Sequence, residues 1–329
     1  MDIYIKSFNR AYLLHRTLAS IKSNLLGFDG KIIVLDDGTP QKYLQKIQQL
    51  YPEVQVRKSP YYEQKNESIL RNEIPVKLIP AMFWKEEVLK GSEHFILLED
   101  DMWFSVRVDF REIIKEVTDL RMDMVKFLWL NNSLLISGNI VDSSKNICKV
   151  APELFTKKAK LFEMIFRTNR FKAGGITRRF VDINKELLKY YQLYAVAGGL
   201  YSKRYYKACW NHHQDMIDEL QQIQQLLQAK EQFCVGNTKQ EIIRTTLKTT
   251  ASLISKESFS GAFDVFKFNK LLNEYWLHHN IYLTENLDED VPDEWIKNGL
   301  KDSEIDFNDW KKWYDTFQER YLNMGNIVG

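Results

Sequence analysis

Cysteine is scarce in this sequence, and what there is cannot build a framework. Cys148, Cys209 and Cys234 are odd in number, far apart and without a C-x-x-C pair, which argues against a disulfide scaffold and a structural zinc cluster and points to a reducing compartment. Long apolar runs are absent too. Nothing approaches the ~20 residues needed to cross a bilayer, and the opening "MDIYIKSFNR" lacks the basic start and apolar core of a signal peptide. A soluble, cytoplasmic chain, attached at most to a membrane surface, is expected. Charge of one sign is also missing: Lys+Arg 46 against Asp+Glu 44 leaves a formal net charge of +2, so no global field favours nucleic acid as a partner. No internal repeat or low-complexity linker interrupts the chain. Its 329 residues, 44% hydrophobic, suffice for one large α/β unit or two smaller domains.

What is present is an alternation. "DIYIKSF" reads as a strand, and in the following "NRAYLLHRTLASIKSNLL" Leu13, Leu14, Leu18, Ile21 and Leu25 share a helical face. "KIIVL" and "HFILL" are continuous apolar runs of the kind buried on both faces of a parallel sheet. A helix follows "DDGTP", a third strand lies around Val54 and Val56, Pro80 starts a helix through "AMFWKEEVLKG", and "FREIIKEVTDL" and "MVKFLWL" give a further helix and strand. The pattern predicts an open, mostly parallel, doubly wound α/β sheet. "LYAVAGGLYSKRYYKACW" then reads as strand, Gly-Gly approach and short helix. "HHQDMIDELQQIQQLLQAKEQF" reads as a long helix capped by Asn211, and the chain from about Gly236 as mainly helical. The expected division is a 1–235 catalytic unit, with halves of about 1–130 and 131–235, and a helical region over 236–329.

In open α/β sheets ligands gather outside the carboxyl ends of the strands. Those ends carry Ser7, Asn9 and Arg10, then Asp36 and Asp37, then Glu99, Asp100 and Asp101 in "EHFILLEDDMWF". Three adjacent carboxylates repel one another and are costly to desolvate. A hard divalent cation such as Mn²⁺ or Mg²⁺, shared with a diphosphate, would repay that cost.

With "IYIKSFNRAYLLHRTLASI", "IIVLDDGTP", "LRNE" and "ILLEDDMWF" in that order, the chain resembles the GT-A glycosyltransferases, most closely the family-two-like enzymes that use nucleotide sugars. The resemblance covers roughly residues 1 to 130. It implies a Rossmann-like sheet and transfer of a hexose or N-acetylhexosamine, with inversion, from a nucleotide diphosphate sugar, UDP-linked for preference, to a hydroxyl of a glycan or lipid-linked acceptor. It implies that Ser7, Asn9 and Arg10 line the nucleotide pocket, with Arg10 near the diphosphate. Asp36 or Asp37 would accept from the base, Arg71 reach base or phosphate, Asp101 bind the metal, and Glu99 and Asp100 contact ribose or metal-bound water. Each has a plainer reading as well: Asn9 as a helix N-cap, Asp36 or Asp37 as a turn former before Gly38, Arg71 as a surface side chain. Pro75 and Pro80 interrupt the helix that the resemblance places soon after "RN".

Inversion also needs a carboxylate base, which the resemblance places near the start of a helix after a glycine-containing strand. Asp215 is the first choice there, with Glu219 and Asp218 as alternatives on the same expected helical face; the usual Glu-Asp pair is absent. His212 and His213 beside Cys209, and His278 with His279, read as capping or packing residues rather than as a metal site. Eight Lys or Arg between Lys157 and Arg179 against one acid, Glu163, suit an anionic surface, a loop closing over a diphosphate, or a solvated amphipathic helix. The aromatic stripes around Trp276 and Trp310 read as core or oligomer contacts. Other classes fit less well. The phosphatase motif D-x-D-G-T fails because Leu35 stands where its nucleophile would be, and no glycine-rich loop follows the first strand as in a nucleotidyltransferase. A silent nucleotide- or glycan-binding scaffold and a retaining transferase are the standing alternatives.

Overall fold

A computed structural model describes residues 1–128, 138–168, 173–178, 180–193, 196–211, 214–252, 263–279 and 282–323. In chain order β1 (Asp2–Ser7), α1 (Ala11–Asn24), β2 (Leu25–Leu26), β3 (Ile32–Asp36), α2 (Gln41–Leu50), β4 (Gln55–Lys58), α3 (Tyr62–Leu70), α4 (Ala81–Lys90) and β5 (His94–Glu99) build the first half. There follow β6 (Met102–Phe104), β7 (Val108–Asp109), α5 (Phe110–Asp119), β8 (Met124–Leu128), β9 (Asn139–Ser143), β10 (Ile147–Ala151), α6 (Ala159–Phe162), α7 (Ala173–Thr177) and α8 (Ile183–Lys189). Then come β11 (Gly199–Ser202), α9 (Lys203–Cys209), α10 (Glu219–Gln228), β12 (Val235–Glu241) and β13 (Ile243–Thr245). Four helices close the chain: α11 (Val265–His278), α12 (Tyr282–Glu285), α13 (Asp293–Leu300) and α14 (Phe307–Asn323).

The central sheet has nine strands in the order β4-β3-β1-β5-β11-β8-β12-β10-β9. The pairs β4/β3, β3/β1, β1/β5 and β8/β12 are parallel, and β11 runs antiparallel between β5 and β8. The two continuous apolar runs are central because both their faces are covered. Ile3, Ile5, Val34, Ile96 and Leu98 pack with α1, α2 and α5, while Tyr4, Ile33, Leu35, Phe95 and Leu97 pack with α4 and α9; alternation by two assigns each residue its side. Helix starts follow the local chemistry: Pro80 precedes α4, and Asp109 caps α5 by accepting from Arg111 N and Glu112 N.

Two expectations are corrected. The helix expected from Asn211 starts only at Glu219, because Asp218 caps it, accepting from Gln221 N at 2.9 Å, while Asp215 is drawn away to accept from Met82 N at 2.9 Å. Asp215, Asp218 and Glu219 therefore do not share a helical face. The region from Gly236 is not helical at first: β12 pairs with β8 and β10 in the main sheet and β13 pairs with β6. The helices beyond are no separate body. Phe268, Leu272 and Trp276 of α11 and Trp310 and Trp313 of α14 share one core with Leu13, Leu14 and Leu18 of α1.

Candidate functional site

Parallel pairing brings three strand ends to one edge. Ser7 lies opposite Asp36 and Lys6 opposite Glu99; Asp37 N then donates to Ser7 O at 2.9 Å and Asp100 N to Lys6 O at 2.9 Å. The loops after β1, β3 and β5 are thus stitched together before any side chain acts.

At the end of β5 the carboxylates have cations from the chain itself. Arg10 forks across two of them, pairing through Nη2 with Asp100 Oδ1 and through Nη1 with Asp101 Oδ2 at 2.6 Å. Lys6 Nζ holds Glu99 at 2.8 Å and lies 4.9 Å from the Trp84 ring centre. Arg10 is 3% exposed and Asp100 0%, so this fork is an interior contact in which desolvation counts heavily. Burial pushes Asp100 up to about 7, with Asp101 adding to the rise and Arg10 opposing it. Asp101 is also raised by burial against the pull of Arg10. Burial works on Glu99 in the same direction, but Lys6 and Arg10 together outweigh it and the carboxyl is lowered. Asp100 Oδ2 accepts from Phe8 N at 3.0 Å, whereas Asp101 Oδ1 is buried without a partner among the described residues.

At the end of β3, Asp36 is a turn former: its Oδ1 accepts from Gly38 N at 3.0 Å and Thr39 N at 2.8 Å. Burial pushes it up to about 6 in spite of these bonds. Gly38 has φ +132° and an added Cβ would stand 2.6 Å from Lys65 Cβ, so the turn and the approach of α3 both require glycine. Asp37 pairs with the buried Lys65 Nζ and accepts from Ser59 Oγ. Burial raises Asp37 and lowers Lys65, and the charge of each opposes the other's shift. Together Asp36, Asp37, Glu99, Asp100 and Asp101 face Lys6, Arg10 and Lys65, an excess of two carboxylates over cations.

The remaining candidates are dispersed. Asn9 does not cap α1; Arg10 holds that position without a side-chain cap bond, and Asn9 sits at φ 51°, its N–H bound to Thr39 Oγ1 at 2.8 Å. Ser7 is buried at the rim opposite Asp36, whose carboxyl its hydroxyl helps to lower against the effect of burial. Arg71 caps the end of α3 with 65% of its side chain exposed, 3.6 Å from Glu67. Asp215 accepts from Tyr61 OH, and its charge raises Asp37, which places it beside the β3 rim. Asp218 is committed to its cap and to Arg167 at 3.0 Å. Glu219 acts on Lys126, a buried lysine that donates to Tyr191 O.

Lys6 and Lys65 are the residues that sequence reasoning missed. Lys6 carried a signal, being a charged residue inside an otherwise apolar central strand; Lys65 carried none, because its partner Asp37 lies on another element. In the basic stretch Phe162 and Ile165 are buried, Phe162 and Phe166 pack on Tyr190, and Lys157, Lys158 and Lys160 are exposed. Phe171 lies outside the described residues, as do His212 and His213. His279 stacks on Tyr275 at 4.2 Å.

Among the described residues no three His, Cys, Asp or Glu side chains gather to hold a metal by themselves. The rim does fit a hard cation that takes one carboxylate oxygen from the protein and the rest from phosphate and water, since Asp101 Oδ1 is such an oxygen. No described helix is long and apolar enough to cross a membrane.

No family model matches the chain, and no curated protein matches its sequence. Solved structures do resemble it. S. aureus TarS 1-349 in complex with UDP is 10% identical, with a TM-score of 0.43, over 98% of this chain and 71% of that one. A longer S. aureus TarS structure is 8% identical at a TM-score of 0.41 over 98% of this chain, which spans 43% of that one. The mannosyltransferase PcManGT from Pyrobaculum calidifontis, in complex with GDP-Man and Mn²⁺, is 12% identical at a TM-score of 0.29, over 39% of this chain and 35% of that one.

Proposed function

We propose that the chain is a GT-A-like glycosyltransferase that moves a sugar from a nucleotide diphosphate donor, UDP-linked for preference, to a hydroxyl of a glycan or lipid-linked acceptor by inversion. The observation that carries this reading is the acid-rich edge where β1, β3 and β5 end, with Asp101 Oδ1 buried and unpartnered among the described residues. Residues 1 to about 130 would hold the donor and 131 to 235 the acceptor. Asp101 would hold Mn²⁺ or Mg²⁺, with Asp100 and Glu99 beside it; when bound, such an ion neutralises the charge that grows on a departing diphosphate.

The chain's own groups account for the rest. Ser7 and Asn9 border the nucleotide, Asp36 or Asp37 accepts from an N–H of the base, and Arg71 is free to swing onto a phosphate or the base. Arg10 lies against the diphosphate. Asp215 takes the acceptor proton as the hydroxyl oxygen attacks the anomeric carbon opposite the leaving group; of the three candidates it is the one coupled to the donor rim. Asp218 and Glu219 are the alternatives.

A thermal-shift panel of nucleoside diphosphates with and without Mn²⁺ tests the donor site, since a ligand that binds only the native state raises the midpoint. A shift needing both components, lost in Asp101→Asn, is expected, together with slow hydrolysis of one nucleotide sugar. No shift with any nucleotide would remove the reading. Binding without turnover would favour a silent scaffold, the second reading, which is helped by the fork of Arg10 already engaging one oxygen of each of two acids.

A further inference from the structure

We propose that Arg10 is an internal counter-ion that makes metal binding conditional on the nucleotide: it holds Asp100 and Asp101 in the ligand-free protein and yields Asp101 only when a dication arrives with a diphosphate. This rests on the donor-site reading above. The geometry is exclusive. Nη1 of Arg10 is 2.6 Å from Asp101 Oδ2, Nη2 is bonded to Asp100, and the side chains of Arg10, Asp100 and Asp101 are 4%, 1% and 11% exposed. A dication drawn to Asp101 Oδ1, unpartnered among the described residues, would share a carboxylate with a guanidinium, in a place where water cannot screen the two cations from each other.

Charge counting gives the same answer. With all three carboxyls ionised, Lys6 and Arg10 against Glu99, Asp100 and Asp101 leave one negative charge in the pocket. A dication alone would reverse that sign inside a buried site, whereas a dication with a dianionic diphosphate leaves the balance as it was. The diphosphate also offers Arg10 a replacement partner, because a guanidinium fork donates to phosphate oxygens as readily as to carboxylates. Arg10 Nε, buried and unpartnered among the described residues, has a donor to spare for it. Metal and nucleotide then assist each other, and by linkage the assistance is mutual.

Calorimetric titration of Mn²⁺ alone, UDP or GDP alone, and Mn²⁺ in the presence of each nucleotide decides the matter, on the wild type, Arg10→Gln and Arg10→Lys. Wild type should bind Mn²⁺ at least about tenfold more tightly with the nucleotide present. Arg10→Gln should bind Mn²⁺ alone about tenfold more tightly than wild type and lose most of the gain from nucleotide. Should Arg10→Gln not fold, Arg10→Lys carries the test: an ammonium holds one carboxylate and frees the other, so it too should bind Mn²⁺ alone more tightly than wild type. Variants that bind Mn²⁺ alone no better than a wild type with coupled binding would overturn the role of Arg10 and leave the donor site standing. A wild type that binds neither nucleotide with Mn²⁺ would overturn both.

Discussion

Asn273 of α11 reaches across to the first strand end: its Nδ2 donates to the Asn9 carbonyl oxygen at 3.0 Å and its Oδ1 accepts from Tyr12 N at 3.3 Å. A helix from the far end of the chain thereby supplies the cap that α1 lacks locally, and holds Asn9 at its positive φ. Both helix and loop are buried here, so the lost partners would not be replaced by water. Asn273→Ala should destabilise the protein by ~1–3 kcal/mol in chemical denaturation and weaken nucleotide binding through the displaced Asn9. Unchanged stability would mean that the loop is held without Asn273, by Thr39 Oγ1 on the Asn9 N–H and by the Asn9 Nδ2 bond to Phe266 O at 3.2 Å.

The pair formed by Lys65 and Asp37 makes a sharper stability prediction. Lys65 is 0% exposed and its Nζ also donates to Leu78 O at 2.5 Å. Lys65→Met strands a buried carboxylate and should cost about 3–5 kcal/mol. Adding Asp37→Asn to that variant should recover part of the loss, because the uncompensated charge goes with it. A double-mutant cycle in denaturant measures the coupling, and strict additivity would show that the two groups act independently.

These contacts show what the sequence makes legible and what it hides. "KIIVL", "HFILL" and the stripe of "FREIIKEVTDL" are local signals, and β3, β5 and α5 lie where they point. β12, in contrast, is "VGNTKQE", a mostly polar strand made central by its neighbours Met124 to Lys126 and Ile147 to Val150. The start of α10 was hidden because the partner of Asp215 is Met82, 133 residues away. The acid triplet was legible as a charge problem. Its counter-ions were not, since Arg10 is 91 residues from Asp101 and Lys6 93 from Glu99; an external cation was the solution that local reasoning could offer.

Asp36 carries a pH signature. It titrates near 6 in the folded protein against an ordinary 3.8, with burial as the cause. The native state therefore binds the proton more tightly than the unfolded chain, so stability falls as pH rises from about 4 to about 6 and stays at its lower level above that window. Asp36→Asn keeps an oxygen for Gly38 and Thr39 and removes the charge. Its stability difference from wild type should be small near pH 4 and grow to at most about 3 kcal/mol in the variant's favour by pH 7. Denaturation midpoints across that range check it, and a flat difference would mean that Asp36 is charged at little cost.

Asp215 separates chemistry from binding. Its two oxygens face Met82 N, at the start of α4, and Tyr61 OH, and its charge is felt at Asp37. Asp215→Asn keeps an oxygen for the Met82 N–H, so α4 should stay in place and the thermal shift with nucleoside diphosphate and Mn²⁺ should survive. A base removed from a displacement typically costs about 10²–10⁴ in rate. The expected result is a kcat for sugar transfer lower by about that factor with KM for the donor little changed. Loss of the nucleotide shift together with activity would assign Asp215 to the architecture of the donor rim. Full activity in the variant would pass the base to Glu219 or Asp218, and Glu219→Gln beside Asp218→Asn would then tell which.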